Sequence, residues 1–162
     1  MFTFEKYREK IEAKILGPGE KIKYKFGPSK IFINFWLFLG LAIILIVFIW
    51  ISDIFTIGLA LGLVLILYSI YLRLSYFYFF TDRRILALEG LFNTKVTSVD
   101  YQKITDVKVI QPFLIKLLFS AGTLLINTAG TPKVEIVLPF IASPYQVKQK
   151  LDVITQKGKL IF

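Results

Sequence analysis

The stretch YFYFFTDRRILALEGLF, residues 76–92, decides the fold of this chain. Two apolar runs flank a short polar turn, which is the pattern of a β-hairpin in a water-soluble domain. Only residues 73–75 separate this hairpin from a long uncharged stretch that looks like a transmembrane helix. The chain therefore joins a small β domain, with no linker, to a segment long enough to cross a bilayer.

The composition is typical of a chain that lies partly in lipid. Of its 162 residues, 56% are hydrophobic and 16% are aromatic, and the mean hydropathy of +0.66 is high for a soluble protein. The net charge is +9, from 20 Lys and Arg against 11 Asp and Glu. Such an excess is typical of proteins that bind nucleic acid or an anionic membrane surface. Because so much of the sequence is apolar, we expect membrane lipids, and no nucleic acid, as partners.

The chain contains no cysteine and no histidine. Disulfides and thiolate chemistry are therefore excluded, and the commonest general base and transition-metal ligand is missing. The absence of cysteine is compatible with a reducing cytoplasm. The N-terminal segment mixes acids with bases and lacks an apolar core, so we expect no cleavable signal peptide.

Two uncharged runs, residues 31–51 and 54–72, have the length of membrane spans. As helices they would be about 31 Å and about 28 Å long, close to the thickness of a hydrocarbon core. A buried core helix is the alternative, but two such runs exceed any core that this chain could build. Residues 31–73 are thus predicted to form a two-span transmembrane hairpin that turns at Ser52-Asp53.

Charge around these spans predicts their orientation. The 30 residues before the first span contain eight Lys and Arg residues, and Arg73, Arg83 and Arg84 follow the second span. The turn between the spans offers only Asp53. Since positive residues favour the cytoplasmic side, we expect a multi-pass protein of the cell (inner) membrane with both termini in the cytoplasm.

Gly58 and Gly62 form a G-x-x-x-G pair in the second span, which permits close helix packing. One interpretation is packing against the first span of the same chain, at Gly40 and Ala42. The other is formation of a homo-oligomer. Neither span contains Asp, Glu, Lys or Arg, which argues against a transporter or a channel.

Residues 1–30 are predicted to form a cytoplasmic amphipathic helix followed by a lysine-rich strand. The helix either lies on the membrane or docks on the β domain; its apolar positions are Phe4, Tyr7, Ile11 and Ile15. The strand, residues 20–26, alternates strictly. Its apolar face is Ile22, Tyr24 and Phe26, and its basic face is Lys21, Lys23 and Lys25. The basic face is either solvated or in contact with anionic head groups.

Residues 74–158 are predicted to form the cytoplasmic domain. The expected strands lie near 75–80, 84–90, 95–100, 104–110, 122–128 and 133–139. Turns are expected at Thr81-Asp82-Arg83, Asn93-Thr94, Tyr101-Gln102-Lys103 and 129–132. The apolar segment 112–119 is assigned no conformation. Ser143-Pro144-Tyr145-Gln146 has the pattern of a capping box that opens a terminal helix. That helix carries one apolar stripe, Val147, Leu151 and Ile154.

Several short motifs together resemble the bacterial pleckstrin-homology-like (PH-like), membrane-flanked domain family. They are the run from Tyr78 to Ile85 with its T-D-R-R turn, Gly90, Lys103-Ile104, Asp106-Val107, Gly122-Thr123 and, upstream, GPGEKIKYKFGPSK. The resemblance covers roughly residues 15–155. It implies a mainly β, α+β fold: a two-helix transmembrane hairpin plus a PH-like bent β-sandwich or barrel of seven strands, capped by a C-terminal helix. It implies little about activity.

Other PH domains bind phosphoinositides through a basic hairpin loop, which would make Arg83 and Arg84 candidate lipid ligands. Strand geometry opposes this assignment. A strand of six or seven residues that starts at the membrane ends about 20 Å away, beyond a Debye length of about 8 Å. Asp82, Arg83 and Arg84 are therefore predicted to stabilise the turn or to face a partner.

The ends of the strands nearest the membrane are expected at residues 90–95 and 110–119. These segments carry apolar residues edged by lysine: Leu91, Phe92, Phe113, Leu114, Leu117, Phe119, Lys95 and Lys116. One interpretation is that these side chains contact the membrane interface. The other is that they fill the core of the domain.

Nothing in the sequence indicates catalysis. The acidic residues are scattered, no glycine-rich phosphate loop is present, and a triad is impossible without histidine. We expect no catalytic residues, no metal site and no cofactor. The predicted function is a non-enzymatic, membrane-anchored scaffold or assembly module that binds a protein partner or its own copies. The alternatives are a reader of anionic lipid head groups, through Lys21, Lys23, Lys25, Lys95 and Lys116, and a small membrane enzyme.

Overall fold

A computed structural model describes residues 4–50, 55–129 and 136–159 of the chain. Five helices and seven strands occupy these ranges. The helices are α1 (Phe4–Ile15), α2 (Lys30–Trp50), α3 (Phe55–Ser75), α4 (Phe113–Phe119) and α5 (Pro144–Lys159). The strands are β1 (Ile22–Phe26), β2 (Tyr76–Thr81), β3 (Arg84–Glu89), β4 (Lys95–Asp100), β5 (Ile104–Ile110), β6 (Ala121–Thr128) and β7 (Ile136–Ala142).

Helices α2 and α3 pack closely side by side because three glycines let their backbones approach. A Cβ atom on Gly40 would lie 2.7 Å from the carbonyl oxygen of Gly62, and one on Gly58 would lie 2.4 Å from Val47. The pair Gly58 and Gly62 is thus used within the chain, the first of the two interpretations. The predicted contact at Ala42 is wrong, since that residue is exposed.

Segments Lys30–Ile49 and Thr56–Ser75 are each 20 residues long and apolar enough to cross a membrane. Only 22% of the most apolar part of each helix is buried. Large apolar side chains point outward along both helices, among them Phe38, Leu45, Phe48, Ile57, Val64 and Leu67. The predicted turn at Ser52-Asp53 lies outside the described residues.

The strands form two antiparallel sheets, in the orders β1-β2-β3-β4 and β5-β6-β7. Strand β1 pairs with β2, so the helical hairpin α2–α3 is inserted between the first two strands of one sheet. The predicted domain boundary at residue 74 therefore cuts this sheet. Strands that are distant in sequence can pair. The change of composition at residue 74 therefore marks the end of the inserted hairpin and not the beginning of the domain.

The predicted faces of β1 are wrong at one end. A register shift between Ile22 and Tyr24 interrupts the pairing with β2. As a result Ile22 packs with Phe77 and Phe79 on the outer face of the sheet, whereas Phe26 packs on the inner face. An extra residue in one strand reverses the side-chain alternation beyond it.

Two apolar clusters lie within the domain, and a third, Phe32, Ile33 and Leu72, joins α2 and α3 to it. The larger lies between the sheets and includes Tyr78, Phe80, Leu124, Leu138 and the α5 stripe of Val147, Leu151 and Ile154. The smaller lies on the outer face of β2 and β3, where Ile11, Ile15 and Leu16 cover Phe77, Phe79, Leu86 and Leu88. Helix α1 therefore docks on the domain, the second of its two predicted placements. The side chains of Phe4 and Tyr7 lie outside the described part of the chain.

Several local expectations are revised. Segment 113–119 is a helix, α4, and β7 extends to Ala142, three residues beyond the predicted end. Its predicted beginning at 133 and the turn at 129–132 fall largely outside the described residues. Helix α5 starts at Pro144 as predicted, but Ser143 has φ 47°, not the extended conformation that an N-cap of a capping box adopts.

Candidate functional site

The turn between β2 and β3 is held by a dense set of hydrogen bonds. The hydroxyl of Thr81 accepts hydrogen bonds from the backbone N–H groups of Arg83, at 3.2 Å, and Arg84, at 3.0 Å. The hydroxyl of Tyr101 donates to the carbonyl of Thr81 at 2.8 Å. Residues 101–103 form the predicted corner as a short 3₁₀ helix. Together these contacts fix the turn against the corner that joins the two sheets.

A buried carboxylate, Glu20, ties this turn to the segment before β1. Arg84 donates to it twice, from Nε at 3.0 Å and from a terminal nitrogen at 2.8 Å. The hydroxyl of Thr81 donates at 2.7 Å and the backbone N–H of Gly17 at 2.9 Å. Glu20 is only 9% exposed, yet every one of these contacts favours its charged form.

Electrostatics at this pair follow from the geometry. The hydrogen bonds from Arg84, which outweigh desolvation, lower the pKa of Glu20 to about 2. The same hydrogen bonds raise the pKa of Arg84 above its usual value. We call the set Gly17, Glu20, Thr81, Arg84 and Tyr101 the turn-end network. It fixes Arg84 as a residue that stabilises the turn, one of its two predicted roles.

The other residues predicted at this turn are placed separately. Asp82 accepts a hydrogen bond from the backbone N–H of Lys21 at 3.2 Å, and its own N–H donates to the Lys21 carbonyl at 3.0 Å. Asp82 and Arg83 are exposed at the tip. Their predicted role in facing a partner stays a prediction.

The opposite end of the domain meets the helices α2 and α3. The backbone N–H of Gly90 donates to the carbonyl of Ser75, the last residue of α3, at 2.8 Å. The ring of Phe119, at the end of α4, lies 5.1 Å from the rings of both Phe32 and Phe35 in α2. Segments 90–95 and 110–119 therefore lie where the strand order predicted, at the hairpin end of the domain.

The apolar side chains of these two segments are mostly exposed. Phe92 is 94% exposed and Phe113 is 74% exposed. In α4, Leu114, Leu117 and Leu118 are between 60% and 67% exposed. The interpretation that these residues fill the core is wrong for Phe92, Phe113, Leu114 and Leu117. Leu91 is half-buried, and Phe119 packs against α2. We call Phe92, Phe113, Leu114, Leu117 and Leu118 the apolar rim. Lys95 and Lys116 lie exposed beside it.

The predicted basic face of β1 is not one cluster. Lys21 lies at the turn end, beside Asp82, and Lys23 is exposed between the two ends. Lys25 lies nearest the helices and forms an ion pair with Glu12 of α1 at 2.6 Å. Whether any of these lysines contacts a membrane stays a prediction.

The described residues contain no group of three or more His, Cys, Asp or Glu side chains that could hold a metal ion. Burial raises the pKa of the Tyr78 and Tyr101 hydroxyls, so both stay protonated and act as hydrogen-bond donors to backbone carbonyls. These tyrosines are structural.

Sequence reasoning did not find the turn-end network. The P-G-E and T-D-R-R motifs were recognised only as fragments of a resemblance, whereas Glu20 and Arg84 are 64 residues apart in the chain. The available signal is a carboxylate and an arginine in two separate motifs, one on each side of the apolar hairpin. That signal does not predict a contact between Glu20 and Arg84, because no local sequence pattern connects them.

Comparison with known proteins gives one family. No curated protein matches the chain in sequence. A crystal structure of a DUF1696-family protein with a pleckstrin-homology domain from Shewanella loihica PV-4 is 11% identical, with a TM-score of 0.49, over 96% of this chain and 99% of that chain. A crystal structure of a pleckstrin homology domain from Shewanella amazonensis SB2B is 11% identical, with a TM-score of 0.48, over 93% of this chain and 86% of that chain.

The family assignment rests on sequence. The family model described as "Bacterial PH domain" matches residues 33–152, from the first turn of α2 into α5. This match covers most of the chain and includes the inserted hairpin as well as strands β2 to β7. The chain belongs to the bacterial PH domain family.

Proposed function

We propose that this protein is a membrane-anchored, non-enzymatic PH-like scaffold. Helices α2 and α3 span the cell membrane, and the two-sheet domain lies on its cytoplasmic face with the hairpin end in the lipid interface. The turn end and the free strand edges then face the cytoplasm, where they bind a protein partner or another copy of the chain. One observation carries the proposal: large apolar side chains are exposed both along α2 and α3 and on the apolar rim, at the end of the domain that meets these helices.

Exposure of the two helices supports a lipid environment. A core helix of a soluble protein is mostly buried. These helices bury their glycine-lined contact and their junction with the domain, and elsewhere turn apolar side chains outward, such as Phe48, 76% exposed, and Ile57, 68% exposed. Exposed apolar surface in water is unfavourable by about 25 cal/mol per Å². Lipid removes that penalty. With 20 residues each, the helices match a hydrocarbon thickness of about 30 Å.

The apolar rim supports a domain seated on the bilayer rather than held above it. Helix α4 has no buried residue and presents its leucines and Phe113 outward, with Lys116 in its last turn. A short apolar helix edged by a lysine is suited to the head-group boundary, where the stem of the lysine lies along apolar surface and its charge reaches water. Phe92 offers a second contact from the β3–β4 loop.

Partner binding is supported by free strand edges. In the described strands, β4 ends one sheet and β5 ends the other. Both carry mostly exposed side chains, and an unpaired strand edge is a template for an added strand. The exposed tip at Asp82 and Arg83 lies at the same end as the start of β5. A scaffold needs no further chemistry.

Because the chain contains no cysteine, single cysteines can be introduced and labelled specifically. Single cysteines replace Phe92, Leu114 or Leu117 in the rim and, as controls, Arg83 or Lys103 at the turn end. Each full-length variant is labelled with an environment-sensitive fluorophore and reconstituted in liposomes that contain nitroxide-labelled lipid. We expect strong quenching for the rim labels and weak quenching for the controls. Equal quenching at both ends would refute the seated domain.

Orientation needs a separate measurement. The Arg83→Cys variant is treated with a membrane-impermeant maleimide in right-side-out and in inverted vesicles of the cell membrane. We expect labelling only in inverted vesicles, because the turn end faces the cytoplasm in this proposal. Labelling of right-side-out vesicles would reverse the topology.

A further inference from the structure

A cleft of about 450 Å³ lies where the domain joins the helical hairpin. Three segments form its wall: the end of β1 with the connection to α2, the last turns of α3, and the start of β2. Its lining includes Lys25, Lys30, Ile33, Arg73 and Tyr76. The cleft exists because β1 and β2 are neighbours in the sheet while their connection is the whole hairpin.

The charged lining of the cleft is entirely basic. Lys25, Lys30 and Arg73 reach it from β1, α2 and α3 respectively. Two acids lie close by: Glu12 is paired with Lys25, and Glu89 lies opposite Tyr76 in the neighbouring strand. Glu89 is also opposite Lys95 of β4. Three cations from separate segments therefore line one cavity, and the carboxylate of Glu12 lies at its edge.

Lys30 and Arg73 mark the boundary of the apolar hairpin. Lys30 is the first residue of α2, and no charge follows it within that helix. Arg73 is the basic residue in the last turn of α3, and no charge precedes it within that helix. In the proposed membrane arrangement, on which this step rests, the cleft lies at the depth of the lipid phosphates. Ile33, which lies deeper in α2 than Lys30, then extends the lining toward the acyl chains.

We infer that this cleft binds the phosphate group of an anionic membrane phospholipid. Arginine and lysine donors from three directions are suited to phosphate oxygens, and the volume accommodates a head group together with its glycerol. Tyr76 supplies an aromatic wall with a hydroxyl. Lys21 and Lys23 do not line the cleft, so the site is a defined cavity and not the basic face of β1.

Glu12 gives the site an internal competitor. Its carboxylate lies 2.6 Å from Nζ of Lys25, which is 51% exposed. A bound phosphate would share or replace this contact, because one ammonium group has three donors. The docked helix α1 therefore weakens the site, and loss of the Glu12 charge is expected to strengthen it.

The test uses the full-length protein in nanodiscs of phosphatidylcholine with a minority of phosphatidylglycerol. After gentle extraction into detergent, retained lipids are counted by native mass spectrometry. We expect preferential retention of one phosphatidylglycerol per chain. The double variant Lys30→Gln, Arg73→Gln is expected to retain it about 30-fold more weakly, the effect of two basic residues near an anionic surface.

The matched control is Lys103→Gln, Lys108→Gln, which removes the same charge from the exposed part of β5 and its preceding corner. This control should retain phosphatidylglycerol as the parent does. Glu12→Gln should increase retention about fivefold, a gain that a misfolded variant would not produce. Equal losses in both double variants, or no gain with Glu12→Gln, would overturn the inference.

Two further measurements distinguish a lipid phosphate from a soluble one and test the proposed membrane arrangement separately. Inorganic phosphate is titrated against the detergent-solubilised protein; if it displaces the retained lipid at micromolar concentration, the ligand is a soluble phosphate and the lipid assignment is overturned. Nitroxide quenching of a Leu117→Cys label is measured in the same membranes. Strong quenching without selective retention would refute the cleft alone, whereas weak quenching would refute the seated domain.

Discussion

The two ends of the domain differ in which kinds of side chain they bury and which they expose. At the turn end a carboxylate, an arginine and two hydroxyls are buried or half-buried and hydrogen-bonded to one another. At the hairpin end large apolar side chains are exposed, as in Phe92 and Phe113. A soluble protein normally buries the second kind of residue and exposes the first. The two ends are therefore suited to different surroundings.

The turn end is closed by its own contacts. Every buried charge there has partners within the chain, so this polar cluster serves the fold by joining the segments on both sides of the inserted hairpin. At the hairpin end the chain leaves large apolar side chains exposed, and in the proposed arrangement lipid covers them. From polarity alone, the turn end would be assigned a functional role and the hairpin end a structural role. Exposure reverses that assignment.

Breaking the turn end is expected to have the largest effect. Arg84→Ala leaves the Glu20 carboxylate buried without its main partner, and loss of one member of a buried pair lowers the free energy of unfolding by about 3–5 kcal/mol. Urea unfolding of the full chain in detergent micelles, followed by near-ultraviolet circular dichroism, measures it. The control is the exposed neighbour, Arg83→Ala, with an expected change within about 0.5 kcal/mol. Similar losses in both variants would contradict the structural role of Arg84.

Acid should weaken the turn end selectively. The pKa of Glu20 falls from its usual 4.5 to about 2 in the folded protein. Its contribution is therefore complete above about pH 4.5 and disappears as the pH falls toward 2. The difference in Tm between the parent and Glu20→Gln should be constant from pH 7 to pH 5 and smaller at pH 3. A difference that does not change with pH would mean that the charge of Glu20 contributes nothing.

A larger side chain at the contact between α2 and α3 is expected to have an intermediate effect on stability. Gly58→Leu places a side chain where a Cβ atom would already lie 2.4 Å from Val47. The helices must separate, at a cost of about 1–3 kcal/mol. Spin labels at the exposed positions Leu45 and Ile57 should report a longer distance between α2 and α3. Ala60→Leu, on an exposed part of the same helix, should leave that distance unchanged; an effect equal to that of Gly58→Leu would deny close packing.

The apolar rim should contribute least to folding. Leu117 is 67% exposed, so Leu117→Ala is expected to change the free energy of unfolding by no more than about 0.5 kcal/mol. The buried Leu124→Ala, made for comparison, should lose about 3 kcal/mol. Both are measured by the same urea titration. A large loss at Leu117 would mean that the rim packs inside the domain in solution.

Much of the fold could be predicted from local patterns. Strands 95–100 and 104–110 have the predicted limits, and α5 carries the predicted stripe on the core. Period-two alternation and a 3.6-residue stripe depend only on neighbours in sequence. The face of Ile22 could not be predicted, because a bulge against β2 sets it.

The candidate site was less predictable than the fold. Segments 90–95 and 110–119 follow from counting strands up and down, and they lie at the expected end. The sequence could not decide between core and surface for Phe92 or Leu117, since an apolar residue fits both. The cleft at Lys30 and Arg73 requires knowing that β1 pairs with β2 across the hairpin, which no local pattern encodes.

By itself the sequence determined the two long apolar helices, the glycines that join them, and a run of short strands closed by a terminal helix. These features arise from residue spacing and composition within each element. Only the tertiary structure decided that the hairpin interrupts a sheet, that Glu20 holds Arg84, and that the rim is exposed. Each of these depends on contacts between residues that are distant in the chain, whose geometry exists only once the sheets have paired.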